Sequence, residues 1–154
     1  MNDENRLLEL LEHAEAKQWV EPALTEALQL VRQIKIFSPG TITKLLSASL
    51  KVLDHGIVDE QMLVANLVCE LFKKEVRLEE GHEKQVEKIL LRAKEIFVGY
   101  EFAHSDSVAK KLCACMHAMW FEIMKRCPNL VEKARDAQLR NGTGGNRNTA
   151  QLAK

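Results

Sequence analysis

Hydrophobic residues recur along this chain at three- and four-residue steps, and proline, glycine and capping residues separate the stretches that carry them. Seven amphipathic helices are predicted. The first, over about 3–17, has Leu7, Leu8, Leu11 and Ala14 at helical spacing. Trp19 and Val20 mark a turn, and Pro22 fits the first turn of the second helix, where its missing N–H costs nothing. That helix buries Leu24, Ala27, Leu28, Val31 and Ile34, and Ser38-Pro39-Gly40 breaks it. Ser38 or Thr41 is the expected cap of the third helix, whose inward residues are Ile42, Leu45, Leu46, Ser49, Leu50 and Leu53. Gly56 suits a left-handed cap at its end, and Asp59 is expected to cap the fourth helix, with Leu63, Val64, Leu67, Val68 and Leu71 inside. Gly81 separates the fourth from the fifth, whose stripe is Val86, Ile89, Leu90, Ala93 and Phe97, and Gly99 is expected to end it. Ser105 or Asp106 caps the sixth, Pro128 terminates it, and a short seventh helix to about Arg140 carries Leu130, Val131 and Ala134.

The first, third and fifth helices begin near residues 3, 41 and 82, the second, fourth and sixth near 20, 59 and 106. Steps of roughly 40 residues are those of helix-pair repeats. The segment "LLSASLKVLDHGIVDEQMLVANLVCELFKK" (45–74) is one such unit: helix, short turn with Gly and Asp, second apolar helix. Residues 89–126 repeat the plan with a longer turn and 7–37 with a shorter one. This pattern resembles armadillo and HEAT repeats, and it also fits a seven-helix superhelix of the kind seen in small adaptor domains. The resemblance implies antiparallel helix pairs stacked as a short right-handed superhelix, with three units as the minimum for a stable stack.

Composition agrees with an all-α domain: aromatic residues are 5% of the chain, while Leu, Ala, Lys and Glu abound. Residues 1–140 form one domain long enough to bury a core, and "NGTGGNRNTAQLAK" (141–154) is too polar to join it, so a disordered tail or linker is expected there. Lysine plus arginine equals aspartate plus glutamate at 22 each, which gives no hint of nucleic acid or anionic membrane as partner. No apolar run reaches the roughly 20 residues that span a bilayer, and no basic-then-apolar leader opens the chain. The expected location is cytosol or nucleus, with reduced thiols at Cys69, Cys113, Cys115 and Cys127.

The stretch "KKLCACMHAMWFEIMKRC" (110–127) is the one place where metal or redox chemistry comes into question. Cys113 and His117 are four apart and share a helix face, but Cys115 points about 200° away, so the three cannot ligate one ion on a regular helix. The redox spacing Cys-x-x-Cys does not occur. Core packing explains the composition better: Val108, Leu112, Cys115, Met116, Met119 and Ile123 make one apolar stripe, and Ala109, Cys113, Trp120 and Met124 make a second. A helix apolar on two sides is expected to lie between neighbours, or to line a groove for a partner's helix.

Neither cofactor, metal nor catalysis is expected: the glycine cluster at 142–145 follows no strand, and the His82-Glu83 pair sits in a charge-dense segment expected to be a solvated loop. The function indicated is a non-enzymatic protein-interaction scaffold that binds an extended peptide or a partner's helix. Its ridge would run over the second, fourth and sixth helices: Glu26, Gln29 and Gln33, then Asn66, Glu70 and Lys73, then Lys110, His117 and Lys125. Trp19 is expected to pack as a lid on the first pair; exposed, it would be a binding anchor. The alternative is a nucleic-acid-binding array using Lys110, Lys111, Lys125, Arg126 and the basic residues of the tail. Leu7, Leu8, Leu10 and Leu11 point more ways than one face requires, so a homodimer through the first helix is a further expectation.

Overall fold

The structure, a computed structural model, describes residues 2–100 and 106–137. It contains α1 (Asp3–Glu15), α2 (Val20–Gln33), α3 (Pro39–His55), α4 (Val58–Phe72), α5 (Glu80–Tyr100), α6 (Ser107–Arg126) and α7 (Pro128–Asp136), and no strand among the described residues. The expected tail at 141–154, the Ser105 cap and the end of the seventh helix near Arg140 fall outside the described residues.

The helices form two layers. Each of α1, α3 and α5 packs on the helix that follows it, as α1 on α2, α3 on α4 and α5 on α6. Across the pairs, α1, α3, α5 and α7 pack side by side in one layer, and α2, α4 and α6 in the other. Polar contacts fix the directions. The Glu4 carboxylate accepts the Ser38 N–H at 2.7 Å, and Thr43 meets His82 at 2.9 Å, so α1, α3 and α5 run parallel. In the second layer the Lys74 ammonium donates to the Arg32 carbonyl, and the Arg126 guanidinium donates to the carbonyls of Phe72 and Lys73. These bring the C-terminal ends of α2, α4 and α6 together, so that layer is parallel as well and the two layers are antiparallel. The helix pairs expected from the sequence are thus present and stacked.

One continuous core runs through the stack and includes Leu7, Leu24, Leu45, Leu67, Leu90 and Leu112 from six successive helices. Ser38 caps α3 as expected, its hydroxyl accepting from the Thr41 N–H, and the Asp106 carboxylate caps α6. The α4 start differs: Ile57 is the cap residue, Glu60 reaches back to accept the Ile57 N–H at 3.1 Å, and Asp59 lies in the first turn. Gly56 differs as well. Its φ of −82° is extended rather than left-handed, and what demands glycine is space, since a Cβ would lie 2.6 Å from the Val52 carbonyl oxygen. Gly81 and Gly99 lie within α5 and do not bound it.

Two expectations about burial are corrected. Leu10 is 4% exposed and belongs to the core along with Leu7 and Leu11, leaving Leu8 as the half-buried leucine of α1. Leu7, Leu10 and Leu11 therefore share one buried arc. His82 is not in a solvated loop but 3% exposed, on the first turn of α5. Its Nδ1 accepts the Glu79 N–H at 3.0 Å, which leaves the proton on Nε2 to donate to the Pro39 carbonyl at 3.1 Å. The ring pins the start of α5 to the start of α3.

Ser49 is the one buried residue of the described part whose side-chain oxygen has no hydrogen-bond partner. Replacing it with alanine removes an unsatisfied hydroxyl, so Ser49→Ala is expected to stabilise the chain by about 1 kcal/mol in urea unfolding. Gly56→Ala forces a methyl group against a carbonyl oxygen and should destabilise it by roughly 1–3 kcal/mol in the same assay. A neutral Gly56→Ala would mean that the close approach to Val52 is not maintained in solution.

Candidate functional site

The chemistry-bearing residues of α6 separate onto three sides. Leu112, Met116, Met119 and Ile123 of the expected first stripe are buried; Val108, by contrast, is exposed. Cys115 and Glu122 face Cys69 of α4. Of the expected second stripe Ala109 is buried, while Cys113, Trp120 and Met124, with Lys110 and His117 at the same three- and four-residue steps, make up a less covered side of the helix. It is not sandwiched between helices: Cys113 and Trp120 are half-buried and Met124 is exposed. The reason lies in the layers, because among the described residues α6 has α4 on one flank and no helix of its own layer on the other.

Where that neighbour would lie is a cleft of about 340 Å³ between α5, α6 and α7. Ala93, Phe97 and Val98 of α5 and Met116 and Trp120 of α6 form its apolar wall. Phe97, expected as a core residue of the fifth helix, is half-buried here, and Ile96 takes the core position. The His117 ring meets the Phe97 ring edge-on, centroids 4.2 Å apart. Lys94 and Arg135 stand at the rim. Lys94 also closes the C-terminus of α7, donating to the carbonyls of Ala134, Arg135 and Ala137 at 3.2, 2.7 and 2.7 Å. The groove's far wall is therefore held in place by a side chain of α5.

The remaining ridge residues are distributed as follows. Gln29, Gln33, Asn66, Lys73, Lys110 and Lys125 are exposed on the second layer. Glu26 is exposed but engaged with α1: the Arg6 guanidinium donates to both its oxygens at 2.9 and 3.0 Å and holds the Glu26 carboxyl below the usual carboxylate range. Glu70 lies between α2 and α4, 3.6 Å from Arg32 and 3.3 Å from Lys73. Lys125 sits over the Phe121 ring at 4.8 Å, and Phe121, which the sequence reading did not single out, is 54% exposed. Trp19 is not a lid. It is 80% exposed at the α1–α2 turn with φ of 49°, stacked loosely on His13.

The basic edge proposed for nucleic acid is smaller than its sequence. On α6 Arg126 is committed to the α4 carbonyls, and Lys125 to Glu122 and Phe121, which leaves Lys110 and Lys111 there, while the basic residues of the tail lie outside the described residues. No group of three or more His, Cys, Asp or Glu side chains that could hold a metal ion occurs among the described residues. The thiols of Cys69, Cys115 and Cys127 are all shifted upward by burial, Cys69 to about 12. That is opposite to the activation a nucleophile or redox thiol requires. No helix among the described residues is long and apolar enough to cross a membrane.

Compared with protein-family models, curated proteins and solved structures, the chain matches none. Its own geometry carries the functional reading.

Because burial keeps Cys69 protonated, iodoacetamide at mildly alkaline pH should modify it at least about a hundredfold more slowly in the folded chain than after unfolding. Mass spectrometry of the alkylated peptides reads this directly. Rapid native labelling of Cys69 would show that α4 and α6 separate in solution.

Proposed function

We propose that this protein is a non-enzymatic interaction scaffold of armadillo or HEAT-like construction that receives a helix or peptide of a partner protein. The observation that carries the reading is the α5–α6–α7 cleft. Its wall brings Phe97, Val98 and Trp120 side by side at the surface, whereas the other large exposed hydrophobics, such as Ile36, Ile57 and Phe121, lie outside it. Contiguous exposed apolar surface bordered by polar groups is the signature of an interaction site, and methionine and tryptophan are well suited to line one. The exposed polar side chains of the second layer (Gln29, Gln33, Asn66, Lys73, Lys110 and Lys125) would set the register of a partner that extends beyond the cleft. Exposed Trp19, at the opposite end of the stack, is a second anchor of the kind that dominates interfaces.

The test is capture from lysate by the full chain, with and without nuclease, and with Gln29→Arg/Asn66→Arg and Trp19→Ala variants. A protein retained despite nuclease, and lost on at least one variant, is the expected result. Retention of material that disappears with nuclease and with added salt would overturn the scaffold reading in favour of nucleic acid.

A further inference from the structure

We propose that the occupant of the cleft is an acidic amphipathic helix of a partner protein, lying parallel to α6 and antiparallel to α7 and so completing a fourth helix pair. The inference rests on the scaffold reading and names the partner's chemistry. The stack itself supplies the position. Each of α1, α3 and α5 has a second-layer partner, in α2, α4 and α6 respectively; α7 packs on α5 and α6, and no described helix stands beside α6 on its open flank. A helix placed there would meet what α2 offers α4 and α4 offers α6: an apolar stripe at helical spacing, here Cys113, Trp120 and Met124, backed by Phe97 and Val98.

Charge selects the partner. Lys110 stands at the N-terminal end of the α6 stripe, and no ion pair engages it among the described residues. Arg135 stands at the rim on α7, its only ion pair among the described residues a long, exposed one of 3.9 Å to Glu132. Such a pair contributes little and leaves the guanidinium available. His117 adds a further polar group, while the three N–H donors of Lys94 are taken by the carbonyls of α7, so Lys94 contributes positive charge alone. The described acids nearby are Glu132 and Asp136 of α7, Glu95, which pairs with Arg92 at 3.2 Å, and Asp106, one turn before Lys110, whose carboxylate is engaged by the Val108 and Ala109 N–H groups. The single acid of α6, Glu122, faces α4 and pairs with Lys125. A second copy of this chain docked cleft to cleft would set these cationic rims against each other. A helix with leucines on one face and glutamates on its flanks meets both the apolar wall and the rim.

The experiment uses the full chain with Trp19→Phe, so that Trp120 alone reports. The probes are two synthetic amphipathic helices of about four turns, identical on the leucine face, one with Glu flanks and one with Lys flanks. Expected are a blue shift of Trp120 emission with the Glu helix, binding at least about tenfold tighter than the Lys helix, and a reversed preference in Lys110→Glu/Arg135→Glu with unchanged thermal unfolding. Equal binding of the two helices, no binding, or a preference indifferent to charge reversal would overturn the proposal. So would a Trp120 already shielded from acrylamide without peptide, which would place the chain's own residues or a second copy in the cleft. If nuclease-resistant capture persists while the Glu helix fails, the scaffold reading stands and this occupant falls.

Discussion

A helix pair of this chain cannot cover its own apolar surface. Within a pair, α3 shields one side of α4, yet Val64, Leu67, Val68 and Leu71 are all buried, and that requires α2 and α6 on either flank as well. Every unit thus depends on the next one, which is the energetic logic of stacked repeats. Burial of the stripes holds the layers together, and a few directional contacts hold the register. Prominent among these are cations donated to the carbonyl end of a neighbouring helix: Lys74 to α2, Arg126 to α4 and Lys94 to α7. Each donates to carbonyls in the last turn of a helix or just beyond it and places positive charge at the negative end of the helix dipole. The same contacts therefore serve as caps within a helix and as braces between units.

The dependence on a neighbour has to stop somewhere, and the two ends of the stack stop differently. At the N-terminal end, the outer side of α1 presents Asn5, Glu9 and Glu12, while Arg6 links Glu9 to Glu26 of α2. That surface is polar, as a terminal unit's should be. At the other end, α7 covers α5 in the first layer, burying Val131 and Ala134, but among the described residues the second layer ends at α6 with its apolar stripe open. The cleft follows from this mismatch. It is not an arbitrary surface feature.

Periodicity made the helices legible because spacing of Leu, Ile, Val and Ala is a local property, and pairs such as Leu45 with Leu46 or Val64 with Val68 mark an inward face without reference to anything distant. The misreadings share a different cause. His82 was taken as solvated because its neighbours in sequence are charged, but its partners Pro39 and Thr43 lie some 40 residues away. Leu10 looked surplus to one face because α1 packs on both α2 and α3, and two neighbours widen the buried arc. For Gly56 the residue type was right and the reason wrong, since the obstacle is the Val52 carbonyl and not the sign of φ. Trp19 could not be placed from sequence, because a turn residue may face either way.

The second stripe of α6 shows where such reading must end. Cys113, Trp120 and Met124 were visible at the right spacing, and two apolar stripes do mean two neighbours. What the residues cannot state is whether both neighbours belong to the same chain. In α4 the second neighbour is α6, and Cys69 lies buried between them with its thiol pushed up to about 12. In α6 the equivalent flank opens onto Phe97, Val98 and a basic rim. The same two-stripe pattern thus serves α4, flanked on both sides, and α6, flanked in its own layer on one side among the described residues.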